Sequence, residues 1–307
     1  MSLNGVLLTD KEEGLTSHDV VERVRRILGV QRVGHTGTLD PMATGLLPLC
    51  VGKATRLSRF LTASDKTYAG TIRFGQATET HDREGRPLGP PRPVEFTETR
   101  LLEAVRALTG PITQIPPIYS AKKHGGVPLY RFARRQVDVP REPIQVVVHY
   151  LKVLALREKE IDFEVKSSPG TYIRVLAHDL GERLDCGAHL HALRRTVCGD
   201  FAVSNAVSLD LLARKVRENL LPELFIPLER VPLSGFRTVV ANRLGLQAVR
   251  NGRALGVREI LPSRSDLGPG PCRVEGETGE LLAIGHITQR ERSDIPVVQP
   301  QIVFMPD

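Results

Sequence analysis

Cysteine, tryptophan and long apolar runs are scarce or absent in this 307-residue chain. Its four cysteines are scattered and form no CxxC pair, which argues against a disulfide framework and favours a reducing cytoplasm. No apolar stretch approaches the ~18 residues that a transmembrane helix needs, and the first residues lack the basic start and long apolar run of a signal peptide. We therefore expect a cytoplasmic protein with no membrane partner.

The overall composition is that of a soluble globular protein, and its positive charge suggests a polyanionic partner. Hydrophobic residues make up 41% and charged residues 25%, which excludes a wholly disordered chain. The net charge of +7 and the pI near 9.4 favour a nucleic-acid partner without proving one.

Strand and helix patterns follow one another without regular βαβ repetition in residues 1–231, which favours an α+β fold. Alternating runs predict strands at residues 67–74 and 144–156, and helical spacing predicts helices at about 17–28 and 173–184. Residues 33–52 have four glycines and two prolines, a loop composition. Short runs with turn signals after residue 232 predict a small, mostly β domain, so we expect domains at 1–231 and 232–307.

The segment from Gly34 to Gly45 contains the most unusual carboxylate. Asp40 is the only acidic residue between Glu22 and Asp65, an interval with seven lysines and arginines. Positive surroundings can hold such a group ionised, and an ionised aspartate can serve as nucleophile or general base. The alternative is that Asp40 only begins an ordinary Asp-Pro turn.

Two further segments contain candidate residues. Arg174 falls in the first turn of a predicted helix, where a cation opposes the helix dipole, and such misfits often mark functional positions. A surface arginine is the alternative.

Residues 111–157 contain eight basic and two acidic residues with interleaved aromatics, which suits RNA phosphates and unstacked bases. A solvated charged face is the alternative there.

The sequence predicts neither a metal nor a nucleotide cofactor. The spacing Cys186-x-x-His189-x-His191 followed by Cys198 fits no standard zinc site. Gly52-Lys53-Ala54 lacks the Ser or Thr that completes a phosphate-binding loop.

Five motifs in order resemble those of TruB-type tRNA pseudouridine-55 synthases, and they cover roughly residues 3–230. The most specific is the GHTGTLDPMATG segment that contains Asp40. The motifs are Gly34–Gly45 with Lys53–Arg56, Lys66-Thr67-Tyr68, Pro116–Ala121, Gly170–Arg174, and Gly187–Leu190 with Leu193-Arg194-Arg195. The resemblance turns the interpretation of Asp40 towards function.

The resemblance implies a mixed, mainly antiparallel sheet flanked by helices, an RNA-gripping insertion at about 111–141, and a C-terminal PUA-like domain. It implies an isomerase that converts uridine 55 in the tRNA T-arm to pseudouridine by base flipping, without cofactor or metal. We expect it to act as a monomer with no obligatory protein partner.

The resemblance also implies roles for individual residues. Asp40 would be the nucleophile or base, Arg174 its partner, and Tyr68 a stacking ring whose hydroxyl could remove the C5 proton. The substrate-binding residues would be His35, Tyr172, Leu193, Lys122, Lys123, Arg134 and Arg135.

Departures and competing functions stay open at this point. Ser167, Pro169 and His178 differ from the residues that the family pattern leads us to expect, which weakens predictions of local RNA contacts. A guide-RNA-dependent pseudouridine synthase usually has lysine-rich tails, which this chain lacks. A non-catalytic RNA-binding protein or RNA folding helper would need the basic residues but not the Asp40–Arg174 pair.

Overall fold

A computed structural model describes residues 3–120, 122–135, 137–290 and 293–304. Ala121, the last residue of the Pro116–Ala121 motif, lies outside them. The chain divides into a large unit of residues 7–49 and 59–224 and a small unit of residues 1–6, 50–58 and 225–307. No helix of the described residues is both long and apolar enough to cross a bilayer.

Strands and helices of the large unit follow one another irregularly along the chain. The strands are β1 (Gly5–Lys11), β2 (Val33–His35), β3 (Thr44–Val51), β4 (Lys66–Phe74), β5 (Gly110–Gln114), β6 (Lys123–His124), β7 (Val127–Pro128), β8 (Ile144–Leu156), β9 (Glu160–Ser167), β10 (Ala188–Cys198) and β11 (Phe201–Ala202). The helices are α1 (Ser17–Leu28), α2 (Ser58–Thr62), α3 (Glu98–Ala107), α4 (Leu129–Arg134), α5 (Ile173–Arg183) and α6 (Leu209–Arg217).

One mixed, mainly antiparallel sheet organises this unit, which confirms the predicted fold class. Its strand order is β1-β3-β10-β4-β9-β8-β5. The pairs β10–β4, β4–β9, β9–β8 and β8–β5 are antiparallel, and β10–β3 is parallel. The central strands β3, β10 and β4 place the loops at their ends beside one another, and this is where the candidate site forms.

Helix α1 shows how local sequence sets an element's bounds. Thr16 accepts a hydrogen bond from the Asp19 backbone while the Asp19 carboxylate accepts from the Thr16 backbone, which is a capping box. Gly29 ends the helix in the left-handed conformation at φ 65°. The resulting bounds, Ser17–Leu28, are those that the helical spacing predicts.

The assignment of residues 33–52 to a loop is wrong for β3. The residues from Leu46 to Val51 are all buried, and apart from Pro48 each is leucine, valine or cysteine. A strand buried on both faces lacks the polar alternation by which a half-exposed strand is recognised. Only residues 36–43, between β2 and β3, form the loop that contains Asp40.

The small unit is mostly β, as predicted for the C-terminal part of the chain. Its elements are β12 (Phe225–Pro227), β13 (Arg237–Val240), α7 (Arg243–Arg250), β14 (Gly270–Glu275), β15 (Leu281–Arg290) and β16 (Ser293–Val303). A sheet with the order β13-β14-β15-β16 packs its apolar face around a buried cluster that includes Val249, Val274 and Ile287. The likeness of this unit to a PUA domain stays a prediction.

Candidate active site

A pocket of about 270 Å³ opens beside the Asp40 loop in the large unit. It is slightly smaller than a site for a drug-sized ligand, about 300–1,000 Å³, and suits a single nucleobase. Residues of four separated motifs line it, namely Asp40, Tyr68, Tyr172 with Arg174, and Leu193.

The Asp40 loop is fixed on both sides of the carboxylate. Before it, the Ser17 hydroxyl at the start of α1 donates to the Leu39 carbonyl at 3.1 Å and accepts from the Leu39 N–H at 2.8 Å. After it, the buried Lys11 ammonium donates to the Pro41 carbonyl at 3.1 Å. Anchors at both neighbours hold the Asp40 backbone in one position, so its side chain is presented to the pocket in a defined direction.

Arg174 connects the Asp40 loop to two other segments. Its Nη2 donates to Asp40 Oδ1 at 3.3 Å and to the Tyr119 carbonyl at 2.7 Å, and its Nη1 lies 3.7 Å from Asp82 Oδ2. The side chains of Arg174 and Asp82 are 6% and 5% exposed, whereas that of Asp40 is 36% exposed. One buried cation therefore holds two carboxylates, and only Asp40 is accessible from the pocket.

Burial raises the pKa of Asp40 above its ordinary value, and the nearby Asp82 carboxylate raises it further. The Arg174 guanidinium and the Lys11 ammonium act in the opposite direction on this pKa. Neither cation belongs to the seven in the interval from Glu22 to Asp65, which the sequence had suggested as the source of the positive environment. Tertiary contacts supply it instead.

Tyr68 lies on β4 with its side chain directed to the same pocket. The residue is 8% exposed, and it is directly opposite Arg195 of the neighbouring strand β10, which lines the same pocket. Burial raises the pKa of the Tyr68 phenol, while Arg195 lowers it and Asp40 raises it slightly. The pocket thus combines a carboxylate, an aromatic ring and a phenol oxygen around one empty volume.

The remaining predicted residues fall into two groups. Leu193 and Tyr172 line the pocket, whereas His35 is set back from it and accepts from the Gly37 N–H at 3.3 Å through Nδ1. The four predicted RNA-binding cations lie away from it, around the β6–β7 hairpin and α4. Lys123, Arg134 and Arg135 are exposed there, and Lys122 is half-buried with its ammonium donating to the Glu142 carbonyl.

Sequence reasoning missed three residues of this site. Asp82 lies in a polar segment that reads only as a loop, and Lys11 ends an apolar strand, a position where a buried lysine is unexpected. Burial lowers the pKa of Lys11 to about 8. Arg195 stands inside a motif, but nothing local marks it as different from Arg194.

Comparisons of the sequence with known proteins indicate one family. A family model described as "TruB family pseudouridylate synthase (N terminal domain)" matches residues 25–173, and one described as "tRNA pseudouridylate synthase B C-terminal domain" matches residues 174–231. Two similar proteins, each named "tRNA pseudouridine synthase B", come from Solibacter usitatus and Escherichia coli O139:H28. The first is 41% identical over 93% of this chain and 96% of that protein. The second is 38% identical over 94% of this chain and 93% of that protein.

Two solved structures share most of the architecture. The crystal structure of a Cbf5–Nop10–Gar1 complex contains a chain that matches with a TM-score of 0.77 and 27% identity, over 98% of this chain and 85% of that one. A structure of an H/ACA RNP bound to a substrate RNA containing 2′-deoxyuridine matches with a TM-score of 0.74 and 25% identity, over 98% of this chain and 85% of that one.

Proposed function

The chain belongs to the TruB family of pseudouridylate synthases, and on that premise we propose that Asp40 is its catalytic nucleophile or base, held in place by Arg174. Its relatives are tRNA pseudouridine synthases, and the chain accordingly isomerises uridine in tRNA to pseudouridine. The observation that carries the assignment is a pocket-facing carboxylate that a buried guanidinium contacts at 3.3 Å.

The reaction exchanges one glycosidic bond for another. The bond between uracil N1 and ribose C1′ breaks, a bond between C5 and C1′ forms, and C5 loses a proton while N1 gains one. Because atoms and electrons balance within the substrate, no oxidant, reductant or cofactor is consumed. The enzyme needs a group that attacks or deprotonates the nucleoside, for which we assign Asp40, and a group that removes the C5 proton.

We assign the second role to Tyr68. A uracil inside a folded RNA must leave its stack before side chains can reach it. In the pocket, the flipped base would lie on the Tyr68 ring, a contact worth about 1–3 kcal/mol. Leu193 and Tyr172 would enclose it. In the last step the Tyr68 oxygen takes the C5 proton, the C5–H electron pair becomes the C5=C6 bond, and N1 takes up a proton from solvent.

We also propose which uridine is modified, that the enzyme acts as a monomer, and where in the cell it acts. The motif pattern points to uridine 55 of the T-arm, which the cations at Lys122, Lys123, Arg134 and Arg135 would grip through phosphates. Asp40, Tyr68 and Arg174 come from a single chain, which supports an enzyme that acts as a monomer without a protein partner. Its four cysteines are buried and not paired with one another, which supports a cytoplasmic location.

Replacement of Asp40 tests the assignment. Asp40→Asn keeps the shape but removes the nucleophile and base, so pseudouridine formation on purified tRNA should fall by at least about 10⁴-fold. Tritium release from 5-³H-uridine tRNA measures turnover, and filter binding measures affinity, which should stay within a few-fold of wild type.

The matched control is Asp185→Asn. Asp185 is 80% exposed and adopts φ 59°, a conformation that asparagine also tolerates. It should keep full activity. Turnover of Asp40→Asn within tenfold of wild type would contradict the assignment.

A further inference from the structure

Arg195 is a fully buried cation for which the structure offers no carboxylate. The residue is 1% exposed, and no carboxylate oxygen among the described residues comes within 4.0 Å of its guanidinium. Burial of an unpaired charge is strongly unfavourable, so buried arginines ordinarily have an acidic partner. An ionisable group that can become negative is therefore expected beside it.

The guanidinium of Arg195 is fixed by two backbone acceptors and faces Tyr68. Its Nε donates to the Leu46 carbonyl at 2.7 Å, and its Nη2 donates to the Gly37 carbonyl at 3.1 Å. Backbone carbonyls never ionise. Tyr68 is directly opposite Arg195 across the β10–β4 pair and lines the same pocket; its phenol can become an anion, and its oxygen is the one we assign to the C5 proton.

The backbone around Arg195 is built for close approach. Arg195 is the direct partner of Tyr68 in the β10–β4 pair and of Gly45 in the β10–β3 pair. Gly45 has φ 97°, and a Cβ added there would meet the Arg195 carbonyl oxygen at 2.4 Å. Only glycine allows β3 to lie this close to β10. Gly37, the glycine of the Asp40 loop, supplies one of the backbone acceptors and adopts φ 142°.

Several charged or titratable groups face Tyr68. Arg195 favours its ionisation, whereas Cys198 on β10 and Asp40 in the loop oppose it. On β4 itself, Lys66 lines the same pocket, and its ammonium donates to the Thr62 and Ser64 carbonyls. From β9 the partner of Tyr68 is the apolar Val165. Of these groups, Arg195 is the cation that lies directly opposite Tyr68 in the sheet.

We propose that Arg195 is a positioning residue for the reaction: it is the preformed counter-ion of the Tyr68 phenolate and aims its oxygen at the uracil C5 proton. This inference rests on the proposed role of Tyr68. Before the step, the phenol releases its proton to solvent and Arg195 compensates the negative charge. During the step, the phenolate takes the C5 proton and becomes a neutral phenol beside Arg195.

Three variants separate this role from a structural one. Arg195→Gln keeps donors but removes the charge, and Arg195→Lys keeps the charge but loses the planar fork. Arg194→Gln is the control, because it makes the same Arg-to-Gln substitution at the adjacent residue, whose guanidinium pairs with Asp10 at 2.6 Å.

Single-turnover pseudouridine formation is the first measurement. Arg195→Gln should be slower than wild type by about 10²-fold, and Arg195→Lys should recover part of that loss. The double variant Tyr68→Phe/Arg195→Gln should be no slower than Tyr68→Phe alone, because Arg195 acts through the oxygen that Phe lacks.

Tyrosinate absorbance is the second measurement. Subtracting the alkaline titration of each Tyr68→Phe counterpart isolates Tyr68 from the other residues among the five tyrosines. Arg195→Gln should move the ionisation of Tyr68 to higher pH by about one unit, a tenfold change, and Arg194→Gln should not.

The outcomes distinguish this inference from the proposed function. Additive losses in the double variant, or unchanged Tyr68 ionisation in folded Arg195→Gln, would overturn the role of Arg195 and leave that of Tyr68 intact. Tyr68→Phe turning over like wild type would overturn the role of Tyr68 and the inference with it. If circular dichroism shows that Arg195→Gln does not fold, the same double-variant comparison is made with Arg195→Lys, and additivity there would be equally decisive.

Discussion

Removal of the Arg174 charge gives the sharpest test of how the site keeps Asp40 ready for reaction. Arg174→Met keeps much of the side-chain volume but leaves Asp40 and Asp82 without their shared cation. A unit charge pair at the observed 3.3 Å interacts by about 5 kcal/mol at an effective dielectric constant of about 20. The Asp40 side chain is 36% exposed to the pocket, so solvent screens this interaction, and we expect about 1–2 kcal/mol to remain.

The sign of the pH effect follows from the ionic form that reacts. Asp40 must be ionised to act as nucleophile or base, so the rate rises with pH through its pKa. Arg174 lowers the pKa of Asp40, so its loss raises that pKa. The acid limb of the single-turnover pH profile should therefore move about one unit to higher pH, and the plateau should fall about 10²-fold because the carboxylate is no longer aimed.

Tritium release from pH 4.5 to 8.5 measures the limb, and urea unfolding at pH 7 measures stability. Loss of Arg174 also leaves the buried Asp82 carboxylate without the cation that lies 3.7 Å from it, which should cost about 3–5 kcal/mol of unfolding free energy. Arg183→Met, on the exposed last turn of the same helix, is the matched control and should change neither quantity. An unmoved acid limb in a folded Arg174→Met protein would refute the reasoning, because Asp40 would then not depend on Arg174 for its charge.

Two further predictions concern RNA binding and acid stability. The cations of the insertion are Lys122, Lys123, Arg134 and Arg135, and replacing them by Ala should flatten the dependence of log Kd on log salt by up to about 0.9 per lost phosphate contact. Filter binding measures this slope, in the Asp40→Asn background to prevent turnover. An unchanged slope would locate the RNA elsewhere. Burial and the stacked His178 ring lower the pKa of His81 to about 4, so its contribution to stability is present above the unfolded value near 6.5 and is lost as pH falls towards 4. His81→Asn, which tolerates the observed φ 64°, should remove up to about 3 kcal/mol of the stability lost between pH 7 and 4.5 in urea unfolding, and an identical loss in both proteins would contradict this account.

Elements with a clear local signal were predictable. The bounds of β8 are those of the alternating run 144–156, and α1 begins and ends at the cap and glycine that its sequence indicates. Helix α7 and strand β10 were not predicted. The β10 sequence is rich in His and Arg, so it does not by itself predict a strand. The segment forms one because it lies at the centre of the sheet.

The same division runs through the site. The sequence by itself determined the chemistry that is available: a lone aspartate in a glycine-rich loop, an arginine in a helix's first turn, and a tyrosine in a strand. These are local features, because residue type and near neighbours define them.

Tertiary structure alone decided which groups meet. Arg174 reaches Asp40 across 134 positions of the chain. Asp82 and Lys11 join the site from segments with no local signal, and nothing local distinguishes Arg195 from Arg194 within their motif. Electrostatic interactions depend on distance in space and on burial, and neither is encoded by spacing along the chain. The sequence therefore singled out the carboxylate that we propose to react, while the fold determined what holds it in position and what sets its charge.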